Sequence, residues 1–253
     1  MNPDACFATL ALGREYRFHA QRLALDLSIW APAYHLLVLT DAPEEFKDLR
    51  NVTAEFHRNH GLLRSYHDKR FLIERSAREY PVCIVIDANT RILAPLPASL
   101  NIPKGIAAFW TWPAHEQLTA EGSYETRGFK LASSNHIGRS VKAAAATLQI
   151  DISKTPFLLE FMYAISTQGE TLTHFLKVWN WLSVYFDYQG LSWSEGYAIG
   201  LAAASAGPDY ATAIGLMMAG ATMPPELLNP ALATLPVPNK TENWLSRLTR
   251  RWL

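Results

Sequence analysis

Charge of one sign is what this sequence most plainly lacks: among 253 residues, 23 Lys and Arg stand against 23 Asp and Glu. A dedicated nucleic-acid binder carries a basic excess clustered on one face, so that class is set aside. Cysteine is nearly missing as well. Cys6 and Cys83, the two present, each lie inside an apolar run, with no second Cys or His at the short spacing a metal site needs. Both read as reduced, buried and inert. No basic stretch precedes the first apolar run, since Met-Asn-Pro-Asp leads straight into a strand-like segment, and a secretory leader is not expected. An unbroken membrane span is lacking too: the longest apolar region, Tyr197 to Met223, is interrupted by Gly200, Gly207, Pro208 and Asp209, short of the roughly 20 continuous residues required. Together these absences predict a cytosolic protein.

Apolar residues make up 49% and aromatics 11%, with eight tryptophans, against only 18% charged residues, which predicts an aromatic-rich surface. At roughly 100 to 200 residues per domain, the length allows one large domain or two small ones with an ample core. Cys6 to Leu12 is a charge-free run of the kind a strand buried on both faces shows. Arg14 to Trp30 follows, with Tyr16, Ala20, Leu23, Leu27 and Trp30 at helical spacing. His35 to Thr40, closed by Asp41, and the more polar Asn51 to Arg58 read as strands. Ser65 to Tyr80 reads as a helix with Phe71, Ile73 and Ala77 inward and Lys69, Arg70, Glu74 and Arg78 mostly outward, stopped by Pro81. Val82 to Ile86 is the most β-branched segment. Such alternation implies a mostly parallel sheet covered on both faces.

After Asp87 the pattern changes. Pro95, Pro97 and Pro103 mark a surface connection, and Ile106 to Thr111 and Phe129 to Ser133 read as strands around a polar loop, Glu116 to Arg127. Helices are predicted over Ser140 to Leu148, Pro156 to Ile165, Thr171 to Phe186 and Ser194 to Ala206. No internal repeat or low-complexity tract is present. The chain divides into one α/β domain over 1–223, sheet-building first and helix-rich later, and a 224–253 segment. That segment holds a Pro-rich tail, Pro224 to Pro238, and a helix with Trp244, Leu245, Leu248 and Trp252 on one face and Arg247, Arg250 and Arg251 largely elsewhere. The helical pattern suits an anionic membrane surface or packing on the protein's own domain or a dimer partner.

In open parallel sheets ligands bind at the carboxyl ends of the strands. Here the first strand ends in Leu10-Ala11-Leu12-Gly13 with Tyr16 just beyond, the second in Asp41, and the fourth in Asp87-Ala88-Asn89, preceded by a helix carrying His67-Asp68-Lys69-Arg70. This arrangement resembles the GT-A superfamily of nucleotide-sugar glycosyltransferases, of the type of the retaining family-6 enzymes that make blood-group-like linkages. The resemblance covers about residues 6 to 93 and, more loosely, Trp193 to Gly207. It implies a Rossmann-type GT-A-like sheet flanked by helices, a nucleoside-diphosphate sugar donor with uridine favoured, and a glycan or lipid-linked acceptor. By the same resemblance, Leu10, Ala11, Leu12, Tyr16, Asp41, Asp68, Lys69, Arg70, Asp87, Ala88 and Asn89 contact the donor, and Mn2+ or Mg2+ would sit on an Asp-X-Asp motif. Asp87-Ala88-Asn89 departs from that motif, because a neutral amide replaces one anionic oxygen and weakens affinity for a hard cation. Two explanations stay open: transfer with weak or no metal binding, Lys69 and Arg70 neutralising the diphosphate, or binding without catalysis. Lys69 and Arg70 also fit a merely solvated helix face, and Asp87 a turn start.

Glycosyl transfer builds oxocarbenium-like charge, for which a nearby carboxylate is useful. Glu195 in Leu191-Ser-Trp-Ser-Glu-Gly196 lies where a loop enters a helix, the kind of junction at which similar proteins place a catalytic carboxylate, although Ser192 and Glu195 also have capping-box spacing. Glu160 is the runner-up, one turn into a helix opened by Pro156 and amid apolar neighbours, with pairing to Arg139 or Lys142 as the plainer explanation. His136, Trp112 and Trp193, on predicted loops, are acceptor-contact candidates, since indole faces suit sugar rings; Trp179 and Trp181 read as core. A nucleotidyltransferase would show a Gly-rich loop after the first strand, and Leu10 to Arg14 has one glycine.

Overall fold

In the computed structural model the described residues are 4–62, 64–93, 95–96, 104–108, 111–114, 134–158, 160–207 and 210. Four parallel strands come first: β1 (Ala5–Ala11), β2 (His35–Thr40), β3 (Val52–Phe56) and β4 (Val82–Ile86). Helices α1 (Arg14–Trp30) and α2 (Lys69–Ser76) fall between them. Then come β5 (Ile106–Ala108), β6 (Thr111–Pro113), α3 (Ser134–Thr147), β7 (Pro156–Leu158), β8 (Met162–Ser166), α4 (Glu170–Tyr188) and α5 (Glu195–Ala206). A six-stranded sheet has the order β3-β2-β1-β4-β8-β5, in which β8 alone runs against its neighbours. β6 and β7 form a separate antiparallel pair. The fold is therefore the mixed α/β sheet flanked by helices that the alternation of runs predicts.

The absence of charge in β1, β2 and β4 follows from burial on both sides. Alternate residues divide between two cores: Cys83, Val85, Leu37, Leu39, Tyr163 and Ile165 face one, and Ile84, Ile86, Leu36, Val38, Met162 and Ala164 the other. Leu23 and Leu27 of α1 fill the second core, and α2, α3, α4 and α5 supply the first. Each fully buried Leu contributes about 1.5 to 3 kcal/mol. Cys6 and Cys83 are free, buried and opposite each other in the β1–β4 register.

Several expectations are corrected. The segment read as a helix over Pro156 to Ile165 is two strands with Glu160 in the turn between them, because β7 pairs with β6 and β8 inserts between β4 and β5. A short apolar run cannot reveal by periodicity which partner waits for it. Lys69 and Arg70 are buried rather than outward: α2 is only eight residues long, and its first turn is wedged under the sheet's carboxyl end and against α4. A strand from Ile106 to Thr111 is instead β5 and the start of β6. Trp179 is core as expected, but Trp181 is 39% exposed and stacks on Tyr185. The Phe129 to Ser133 strand, the Glu116 to Arg127 loop, the Pro224 to Pro238 tail and the C-terminal helix with Trp244 to Trp252 lie outside the described residues. Among the described residues no helix is long and apolar enough to cross a membrane.

Candidate functional site

After β1 the chain builds β2 and β3 on one side, then places β4 on the other, so the carboxyl ends of β1 and β4 flank the sheet's switch point. A crevice opens at such a point because the connections leave in opposite directions. Leu10 and Ala11 end β1, Leu12 follows half-buried, and Tyr16 in the first turn of α1 is 44% exposed. Burial, then Tyr66 and Asp87, push the Tyr16 phenol up, with Arg64 opposing, so these side chains share one neighbourhood. Asp87, Ala88 and Asn89 follow β4, with Ala88 buried and Asn89 exposed; the Asp87 carbonyl accepts from Thr90 N–H at 2.9 Å, closing the turn.

Lys69 is the centre of the site. Its Nζ lies 2.6 Å from Asp87 Oδ1 and 3.2 Å from Glu195 Oε2, and it donates to the Glu160 carbonyl at 3.0 Å. Burial works against the ammonium, but Asp87, then Glu195, outweigh it and hold the lysine well above its ordinary value. Glu195, 1% exposed, is pushed well up by burial, which Lys69 only partly offsets; Glu160 and Asp87 push the same way. The ammonium's charge is therefore matched first by Asp87, the nearer and more exposed carboxylate, and Glu195 is the group driven toward its protonated form. No capping box explains Glu195: the N-cap of α5 is Ser194, which makes no side-chain cap bond. Tyr163 on β8 joins the same electrostatic cluster, its buried hydroxyl without a hydrogen-bond partner among the described residues and pushed well up by burial and by Glu195.

The neighbouring motif residues face elsewhere. Arg70 donates to the His67 carbonyl at 2.7 Å and to Asn180 Oδ1 at 3.2 Å, contacts Asp68 Oδ1 at 3.4 Å, and lies 4.2 Å over the Phe71 ring. Asp68, fully buried, accepts from His60 N–H at 2.8 Å and pairs with His57 Nε2 at 3.0 Å, anchoring the loop after β3. Trp179 donates its indole N–H to His67 Nδ1 at 3.2 Å, while burial and then Arg70 lower His67 to about 4, so its ring stays neutral. Asp41 accepts from Gly13 N–H at 3.1 Å and from Arg17 at 2.8 Å, tying the end of β2 to the start of α1. Arg70, Asp68, His67 and Asp41 thus hold neighbouring segments of the chain in place.

The acceptor candidates scatter. His136 lies in α3 rather than a loop, with Nε2 at 2.8 Å from the Gln189 carbonyl. Trp193 is in the loop before α5, partly buried against the first core, and Trp112 is in β6 opposite Phe157. The structure thus brings Tyr16, Lys69, Asp87, Glu160 and Glu195 together. It also adds Tyr66, Arg64 and Tyr163 to that neighbourhood. Tyr66 was within reach of a sequence reading, standing just before the His-Asp-Lys-Arg run, but a lone Tyr in an apolar strand carries no signal of its own.

A divalent cation on Asp87 and Asn89 does not fit these donors. Asp87 is already 2.6 Å from an ammonium, Asn89 offers a neutral amide, and among the described residues no group of three or more His, Cys, Asp or Glu could hold a metal. No protein-family model and no curated protein matches the chain in sequence. Among solved structures, the chain is similar to the apo form of WbbM, a bifunctional glycosyltransferase, with a TM-score of 0.48 and 13% identity over 78% of this chain and 38% of that one. It spans well under half the length of that protein, and a likeness of this degree fixes neither reaction nor ligand.

Proposed function

We propose that the chain is a glycosyltransferase that takes a nucleoside-diphosphate sugar, UDP-linked by preference, at the switch-point crevice and passes the sugar to a glycan or lipid-linked acceptor. The observation that carries this reading is the Lys69 cluster: one buried ammonium set among Asp87 at the end of β4, the Glu160 carbonyl and Glu195 at the start of α5. Anionic donors are bound at this end of such sheets, and transfer calls for carboxylates beside the developing positive charge. In this reading the nucleoside lies over Leu10, Ala11, Leu12 and Tyr16, and the sugar reaches Asp87, Ala88 and Asn89. Glu160, half-buried in the turn before β8, meets the substrate, and Glu195 acts from beneath through Lys69. Arg70, Asp68 and Asp41 shape the crevice.

Titration calorimetry with UDP, GDP and CMP, with and without manganese, is the first test, followed by transfer assays with UDP-sugars. UDP should bind best, with little response to chelator, and Asn89→Asp should introduce a manganese response. Failure of all three nucleotides to bind under both conditions would overturn the reading. Asn89 favours a second one, a sugar-nucleotide binder without turnover, which binding with no transfer or donor hydrolysis would support. The membrane reading of residues 239–253 predicts co-sedimentation of the full chain with anionic vesicles, lost on truncating that segment.

A further inference from the structure

We infer that Asp87 occupies the place of a ligand oxyanion on Lys69, so that a ligand phosphate oxygen and the Asp87 carboxylate compete for the same ammonium. The inference rests on the crevice being the anion site of the proposed function and assigns Asp87 a role opposite to that of a metal ligand.

Three oxygens lie within 3.2 Å of Lys69 Nζ: the Glu160 carbonyl, which accepts a hydrogen bond, and one oxygen each of Asp87 and Glu195 at ion-pair distance. They differ in freedom. Glu195 is 1% exposed at the foot of α5, and the Glu160 oxygen is a backbone carbonyl in the short turn leading into β8. Asp87 is the solvent-facing partner, its side chain 34% exposed on a turn that β4 ends. An oxygen arriving from solvent therefore meets Lys69 where Asp87 stands. Arg70 offers no substitute cation, since its guanidinium is spent on His67, Asn180 and Asp68.

Charge decides the direction of the effect. With Asp87 seated, the ammonium is neutralised by its closest counter-charge, so an incoming anion gains little. With Asp87 rotated away, a buried cation is left without its closest counter-charge, and a charge-assisted bond from an oxyanion becomes favourable. Removing the Asp87 charge should thus strengthen anion binding. For a metal-bridging aspartate the same change weakens it.

The test is calorimetric titration of inorganic pyrophosphate and of UDP, each with chelator and with manganese, on the full chain and on Asp87→Asn, Lys69→Met and the double variant. In chelator, Asp87→Asn should bind pyrophosphate several-fold tighter than wild type, and that gain should vanish when Lys69 is also Met. Because Lys69→Met strands Glu195, Lys69→Met/Glu195→Gln serves as a second background, with circular dichroism checking the fold. An unchanged or weaker affinity in Asp87→Asn overturns the inference, as does a gain that persists without Lys69. UDP binding that needs manganese and is lost in Asp87→Asn overturns it while leaving the proposed function standing. Tighter pyrophosphate binding with no nucleotide bound by any variant supports the competition and sinks the proposed function.

Discussion

At the scale of single residues, Glu195 is a carboxyl with 1% exposure whose pKa burial drives well above the ordinary 4.5. A folded-state value above the unfolded one means that the native protein holds a proton the unfolded chain has released. Stability therefore falls as pH rises from the ordinary glutamate value toward the raised folded value. Glu195→Gln removes that proton exchange, so its stability should be flatter as pH rises above 4.5, as urea midpoints would show; a parallel fall in both proteins contradicts the assignment. Asp41 works in the opposite sense. Partial burial pushes its carboxyl up, but Arg17 and then Gly13 N–H outweigh this and hold it below the ordinary 3.8. Its contribution is present above that value and is lost as acid titrates it. Asp41→Asn should be less stable than wild type at neutral pH and close to it in acid that protonates the native carboxyl, compared by denaturant melts at both; since the side chain is 41% exposed, the difference should be small.

At the scale of elements, the joint between α5 and β7 sets the distance between the helical half and the Glu160 turn. A Cβ at Gly200 would lie 1.9 Å from the Pro156 carbonyl oxygen, and one at Gly196 would lie 2.4 Å from that of Leu158. The contacted atoms are backbone, so neither element can yield by turning a side chain. Gly200→Ala should destabilise by about 2 kcal/mol or more, and because α5 carries Glu195 it should also weaken nucleotide binding. Gly138 in α3 meets nothing within 4 Å, so Gly138→Ala should stabilise by about 0.5 to 1 kcal/mol through helix propensity alone. Chemical denaturation of both variants separates steric clash from propensity. Equal effects of one sign would show that the close approach has been misread.

At the scale of the whole molecule, the Lys69 cluster draws together α2, the end of β4, the turn before β8 and the start of α5, so a ligand there binds only the assembled sheet. A nucleoside diphosphate at about 100 times its Kd should raise unfolding free energy by about 2.7 kcal/mol, read as a shift in thermal midpoint. The shift should survive chelator and disappear in Lys69→Met/Glu195→Gln. A shift that needs manganese would instead place a metal between protein and donor.

What the sequence determined by itself is local. Charge-free runs at Cys6 to Leu12, His35 to Thr40 and Val82 to Ile86 must be strands hidden on both faces, because no alternation offers a wet side. The spacing of Leu23 and Leu27 dictates one buried stripe on α1. From these the parallel sheet and the strand-end positions of Leu12, Asp41 and Asp87 follow. Tertiary structure decided what no local pattern encodes. Pro156 to Ile165 reads equally as helix or strand until β6, β4 and β5 offer hydrogen-bonding partners. Lys69 and Arg70, adjacent and alike in charge, part company because one residue along a helix turns the side chain by about 100°, toward Asp87 in one case and Asn180 in the other. The meeting of Lys69, Asp87, Glu160 and Glu195, spread over more than half the chain, depends on sheet order and on the close seat of α5 against β7. Those are relations between elements, fixed only when the whole chain packs.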